Sequence, residues 1–128
     1  MQEGTDVTIV ATGHFVWESL LAAEELEKEG ISCEIINIHT IKPLDEEIIL
    51  KSVEKTGKLV TAEEHNFLGG LGESIAGVLA RKRPTPQEFV AVNDTFGESG
   101  TPAELMKKYQ IDAEAVIKAV KRIIERTK

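Results

Sequence analysis

Short apolar runs rich in β-branched residues alternate along this chain with longer stretches in which apolar positions return every three or four residues. Val7–Thr12 is the first such run, and it stops at Gly13 as a strand does. Val16, Trp17, Leu20, Ala23 and Leu26 then follow at helical spacing as far as Glu29, with Gly30 as the stop. The pattern repeats with a strand from Ser32 to Ile38, a connection through His39-Thr40-Ile41-Lys42-Pro43-Leu44, and a helix capped by Asp45. That helix carries Ile48, Ile49, Leu50 and Val53 on its inner side and ends at Gly57. Leu59 to Ala62 reads as a third strand and leads into a helix that ends at Arg83, where Pro84 and Pro86 turn the chain. A fourth strand, Glu88 to Asn93, precedes a capping box of Thr101, Pro102 and Glu104, which starts a helix running through Tyr109. Asp112 then reads as the cap of a separate last helix with Ala113, Val116, Ile117, Val120, Ile123 and Ile124 on one stripe.

Strands alternating with helices of this length predict parallel β-α-β units with right-handed crossovers. The expected fold is α/β, a three-layer α/β/α sandwich around a mostly parallel sheet of about five strands, of which the pattern places four. A chain of 128 residues forms one domain, 1–128, with the polar residues 1–6 as a flexible lead-in.

Charge and composition narrow the function. No apolar run approaches the roughly 20 residues that span a bilayer, and the N-terminus carries no basic-then-apolar leader, so a cytoplasmic protein without a membrane role is expected. A formal net charge of -7 argues against nucleic acid, whose binding draws on clustered Lys and Arg. Arg81-Lys82-Arg83 reads as the solvated end of a helix, where cations suit the dipole. The single cysteine, Cys33, forms no internal disulfide and reads as a small buried or edge residue.

Parallel strands end on one shared edge, and that edge is where ligands and partners dock in open α/β sheets. Glu63-Glu64-His65-Asn66-Phe67-Leu68-Gly69-Gly70-Leu71-Gly72 is the crossing from the third strand to the third helix, and Gly13-His14, His39-Thr40 and Asp94-Thr95-Phe96 join the same rim. Metal ligation by His14, His39 and His65 is a weak reading, since strands lie about 4.8 Å apart and nothing aims the rings at one point. Glu63, Glu64 and His65 have the chemistry of an acid/base set, but consecutive residues leaving a strand point to opposite sides; a polar rim that pairs with loop amides or a neighbouring domain is the plainer reading. The Gly69 to Gly72 turn has the look of a phosphate cradle at a helix N-terminus, without the Walker or dinucleotide spacing. Tight packing of the helix on the sheet is the stronger of those two readings. Ser74 lacks the nucleophile-elbow context of a hydrolase.

Gly4 through Gly13, the Gly30-Ile31 joint, Ile41-Lys42-Pro43-Leu44-Asp45, Glu63-Glu64-His65 with Gly69-Gly70-Leu71-Gly72, and Asp94-Thr95-Phe96-Gly97-Glu98-Ser99-Gly100 occur in an order that resembles the C-terminal domain of transketolases, especially the split-subunit form. Related domains close the 1-deoxyxylulose-5-phosphate synthases and the beta subunits of 2-oxo acid dehydrogenases. The resemblance implies a parent enzyme that uses thiamine diphosphate and Mg to move two-carbon ketol units between sugar phosphates. It also implies a dimer in which this domain packs on pyrimidine-binding and pyrophosphate-binding domains or subunits. No Gly-Asp-Gly…Asn metal signature is present, so no catalytic, cofactor-binding or metal residue carries over. The expected role is a scaffold and assembly domain, inactive by itself, with Glu63, Glu64, His65, Asn66, Phe67, Gly69, Gly70, Gly72, Asp94, Thr95 and Phe96 as the interface or anion-contact rim. With Met1 almost directly before the first strand, the polypeptide reads as an excised domain or truncated subunit. The alternative is a free-standing small-anion or phosphate-binding module using the Gly69 to Gly72 turn.

Overall fold

The computed structural model of the chain describes residues 2–12, 16–38, 44–64, 70–92 and 101–128. Its elements alternate strictly: β1 (Val7–Thr12), α1 (Val16–Glu27), β2 (Cys33–Ile38), α2 (Glu46–Thr56), β3 (Leu59–Glu64), α3 (Leu71–Lys82), β4 (Gln87–Val92) and α4 (Pro102–Arg126). The four strands form one sheet in the order β2-β1-β3-β4, and every neighbouring pair is parallel. All four therefore end on the same edge.

The central strand β1 is buried on both faces, as a parallel sheet between two helical layers requires. Its odd residues Val7, Ile9 and Ala11 join Cys33, Ile35, Val60, Ala62 and Val90 in a core closed by α1 and α4. On the other face Val10, Ile36, Ile38 and Leu59 pack with Ile49 and Val53 of α2 and Leu71, Ile75 and Leu79 of α3. The three expected layers are thus present, with four strands in the sheet among the described residues.

One polar residue in β1 needs an internal partner. Thr8 is fully buried, and its hydroxyl lies 2.6 Å from Ser52 Oγ and 2.7 Å from Thr56 Oγ1. Thr56 also donates to the Lys58 carbonyl at 3.2 Å. This group of three hydroxyls fastens the last turns of α2 to the sheet.

The helix ends follow local chemistry. Asp45 accepts from the Ile48 amide at 3.3 Å. Gly57 closes α2 at φ 77° and donates to the Val53 carbonyl at 2.7 Å, a backbone position that side-chain-bearing residues rarely adopt. Gly30 does the same after α1 at φ 82°. Thr101 accepts from the Glu104 amide at 3.1 Å and Pro102 opens α4, as the capping box predicts. Salt bridges Lys82–Glu46 (2.7 Å) and Lys121–Glu29 (3.0 Å) join the helices within each layer.

Three expectations are corrected. The last two helices are one, α4, 25 residues long, because no glycine or proline interrupts Tyr109 to Asp112 and Asp112 is buried rather than serving as a cap. β3 runs two residues past Ala62, to Glu64. The polar lead-in lies along β2 instead of fraying: Gln2 forms an antiparallel bridge with Ile35, Gly4 donates to Glu34 Oε1 at 3.2 Å, and Asp6 accepts from the Ser32 amide at 2.7 Å. Exposed backbone groups on an edge strand draw such a segment in. Among the described residues no helix is long and apolar enough to cross a membrane.

Glu34 sits under this lead-in and forms an ion pair with Lys55. Burial pushes its carboxyl up, but hydrogen bonds from Lys55, Ser52 and Gly4 and the Lys55 charge together outweigh burial and hold it below the ordinary value of 4.5. A carboxyl depressed in the folded state stabilises above its unfolded pKa and loses that contribution as pH falls through the folded value. The stability difference between wild type and Glu34→Gln, read from urea melts, is therefore expected to be largest near neutral pH and to shrink below about pH 4. Thr8→Val takes one partner each from Ser52 and Thr56, which keep Glu34 and the Lys58 carbonyl, and is expected to lower unfolding free energy by about 1 kcal/mol in the same melts.

Candidate functional site

The strand-to-helix crossing between β3 and α3 collects most of the polar chemistry singled out in the sequence. Because β3 continues past Ala62, Glu63 is still a strand residue, and alternation turns it to the same side as Leu59 and Thr61, toward α3. It is buried, only 1% exposed. Its carboxylate accepts from the Leu71 amide at 3.2 Å and from the Gly72 amide at 2.7 Å. Gly70, at the N-cap of α3, offers no side-chain acceptor, so Glu63 supplies from the sheet what a Ser or Asp supplies at other helix starts. The negative carboxylate also meets the positive end of the helix dipole.

Close approach makes this possible. A Cβ on Gly72 would lie 2.5 Å from Phe89 Cδ2 and 2.8 Å from Glu63 Oε2. Gln87 Nε2 donates to the Gly72 carbonyl at 3.0 Å, and Gln87 and Phe89 stand on the same side of the sheet. The first turn of α3 is thus held by β3 and β4 together. Phe89 covers it while remaining 45% exposed.

The structure therefore brings Glu63, Gly70 and Gly72 into one buried capping unit. The side chain of Glu64 lies outside the described residues, as do His14, His39, His65, Asn66, Phe67, Leu68, Gly69, Asp94, Thr95 and Phe96. No group of three or more His, Cys, Asp or Glu that could hold a metal ion occurs among the described residues. Sequence reasoning missed Gln87 and Phe89 as members of the unit. The signal available was the strand alternation itself, which puts Glu63, Gln87 and Phe89 on one face once the register Glu63↔Ala91 is known.

Away from this edge, a groove of about 610 Å³ lies between the lead-in, β2 and α2, lined among others by Gln2, Glu34, Ser52 and Lys55. Of its charged members Glu34 and Lys55 pair with each other, and Glu3, Lys51 and Glu54 also line it. Cys33, beneath the lead-in, is 1% exposed, and burial followed by the Asp6 charge pushes its thiol up to about 12, so it stays protonated and unreactive.

Comparison with known proteins identifies the wider context. The family model described as transketolase, C-terminal domain, matches residues 1–116. The chain is 47% identical over 126 residues to the 6-deoxy-6-sulfo-D-fructose transketolase subunit SqwH of Clostridium sp. (strain MSTE9), covering 98% of this chain and 39% of that protein. It is 39% identical over 119 residues to the transketolase of Homo sapiens, covering 92% of this chain and 19% of that enzyme. Among solved structures it is similar to a split gene transketolase, an inactive beta4 tetramer, with TM-score 0.81 and 45% identity, over 97% of this chain and 41% of that one. The chain thus spans well under half the length of these relatives.

Glu63→Ala strips the acceptor from two buried amides and is expected to cost about 1.5–3 kcal/mol. Amide exchange at Leu71 and Gly72, followed by NMR, is expected to accelerate first in that variant, while Glu63→Gln, which keeps one acceptor oxygen, recovers part of the protection.

Proposed function

This chain belongs to the transketolase C-terminal domain family, and we propose that it is the C-terminal scaffold and assembly part of a thiamine diphosphate-dependent transketolase that moves two-carbon ketol units between sugar phosphates. In this reading it does not turn over substrate alone. The observation that carries it is the Glu63 cap: the one helix start beside the glycine-rich turn already has its Leu71 and Gly72 amides bound to a carboxylate of the same chain. A diphosphate group arriving there would meet a buried negative charge instead of free donors. The residues described do not fit thiamine diphosphate or its Mg, and in this reading both are held by the pyrimidine-binding and pyrophosphate-binding domains or subunits of the parent enzyme.

The same cap weighs against the free-standing anion-binding module. It favours the reading of Gly72 as a packing residue, since there is no room for a Cβ there between Phe89 and Glu63. The rim formed by Glu64, His65, Asn66, Phe67, Gly69, Asp94, Thr95 and Phe96 is proposed as the surface that meets those domains. Assembly with other transketolase subunits accords with the subunit relatives and with the tetrameric state of the similar solved protein; a cytoplasmic location is part of the same proposal.

The reading is tested by titrating thiamine diphosphate with Mg²⁺, and separately inorganic phosphate, into the chain by calorimetry. Neither is expected to give saturable heat at micromolar concentration. In a ketol-transfer assay the chain alone is expected to be silent, and activity to appear only with a second chain carrying the thiamine domains; turnover by this chain alone would overturn the proposal.

A further inference from the structure

The two edges of the sheet are treated differently. The outer side of β2 is covered by the lead-in, where Gln2 and Ile35 exchange backbone hydrogen bonds of 2.8 and 3.3 Å. At the other edge, among the described residues, β4 has a neighbour on one side only. The Leu59 amide donates to the Pro86 carbonyl at 3.1 Å, so even-numbered residues of β4 face β3 and odd-numbered residues turn their N–H and C=O outward. The outward Gln87 carbonyl is taken by Arg126 Nη2 at 3.1 Å. Those of Phe89 and Ala91 have no partner among the described residues, and both side chains are exposed.

We propose that β4 pairs antiparallel with β4 of a second copy of this chain about a twofold axis through Val90. That register places Phe89 opposite Ala91 of the partner and Ala91 opposite Phe89, so the four outward amide and carbonyl pairs left open on two copies satisfy one another, and the half-exposed rings pack on alanine. It leaves the Arg126 bond to Gln87 intact. Charge permits it: the chain carries -7 overall, which disfavours contact between copies, but the carboxylate on this strand, Glu88, is paired with Arg122 at 3.1 Å and Arg126 at 3.5 Å. Among the described residues the edge is thereby a place where an acidic chain can approach its own copy without carboxylate repulsion. A twofold contact buries the same patch on both partners, as the symmetric placement of Phe89 and Ala91 about Val90 requires. The result is one continuous sheet across two copies.

Sedimentation equilibrium over a concentration series tests this with wild type and Ala91→Pro. Proline removes an N–H that the fold itself leaves unused and is tolerated on an edge strand; circular dichroism checks that the variant is folded, and Ala91→Lys takes its place if it is not. Wild type is expected to rise with concentration from 14.1 kDa toward twice that mass, and the folded variant to stay at the monomer mass throughout. A wild type that remains monomeric, or a folded variant that associates like wild type, overturns the proposal. Neither result bears on cofactor binding or ketol transfer.

Discussion

The backbone amides that open α3 have to find acceptors in a place where water is excluded, and the chain meets that demand from inside the sheet, through Glu63. Much else is conditional on that bond. β3 must continue beyond Ala62 for Glu63 to be held as a strand residue facing α3. Gly72 must lack a side chain, because the carboxylate and the Phe89 ring occupy the space where a Cβ would go. Gln87 must reach across from β4 to the Gly72 carbonyl. One internal carboxylate thus fixes the relative placement of two strands and a helix.

The opposite end of the sheet is secured by different means. There the Thr8, Ser52 and Thr56 hydroxyls, the Glu34–Lys55 pair and the lead-in along β2 bind the amino ends of the strands to α2. These groups satisfy one another locally, beside the groove that the lead-in, β2 and α2 line. The carboxyl ends of all four strands gather on the other border, and it is from that border that the glycine-rich crossing departs. A parallel sheet forces this division, since it has only one edge where strands give out.

The fold was legible because its signals are local. β-branched runs, glycine stops and the Asp45 and Thr101 caps each announce themselves within a few residues, and the element order followed from them. The continuity of α4 was not legible: Asp112 carries the side chain of a cap, and only tertiary burial shows that it sits inside the helix instead. The lead-in was misjudged for a similar reason, because its polar composition hides that an unpaired strand edge lies within reach. Of the site, the carboxylate, the glycines and the helix start were all visible, yet their arrangement was not. Whether Glu63 faces solvent or α3 depends on where β3 stops, and a displacement of a single residue reverses it.

Two unmet demands at helix starts and sheet edges are the usual openings through which a small α/β domain takes ligands or partners. In this chain the first is filled by its own residue: the α3 amides that could have received an anion are bound to Glu63. The second is filled at β2 by the lead-in and, among the described residues, left open at β4, where the N–H and C=O groups of Phe89 and Ala91 face outward. A backbone edge recognises another backbone edge with little regard for side-chain chemistry, whereas a free helix start selects small anions. Among the described residues the first opening is closed by Glu63 and the second only halfway, so the edge of β4 presents backbone groups where the start of α3 does not.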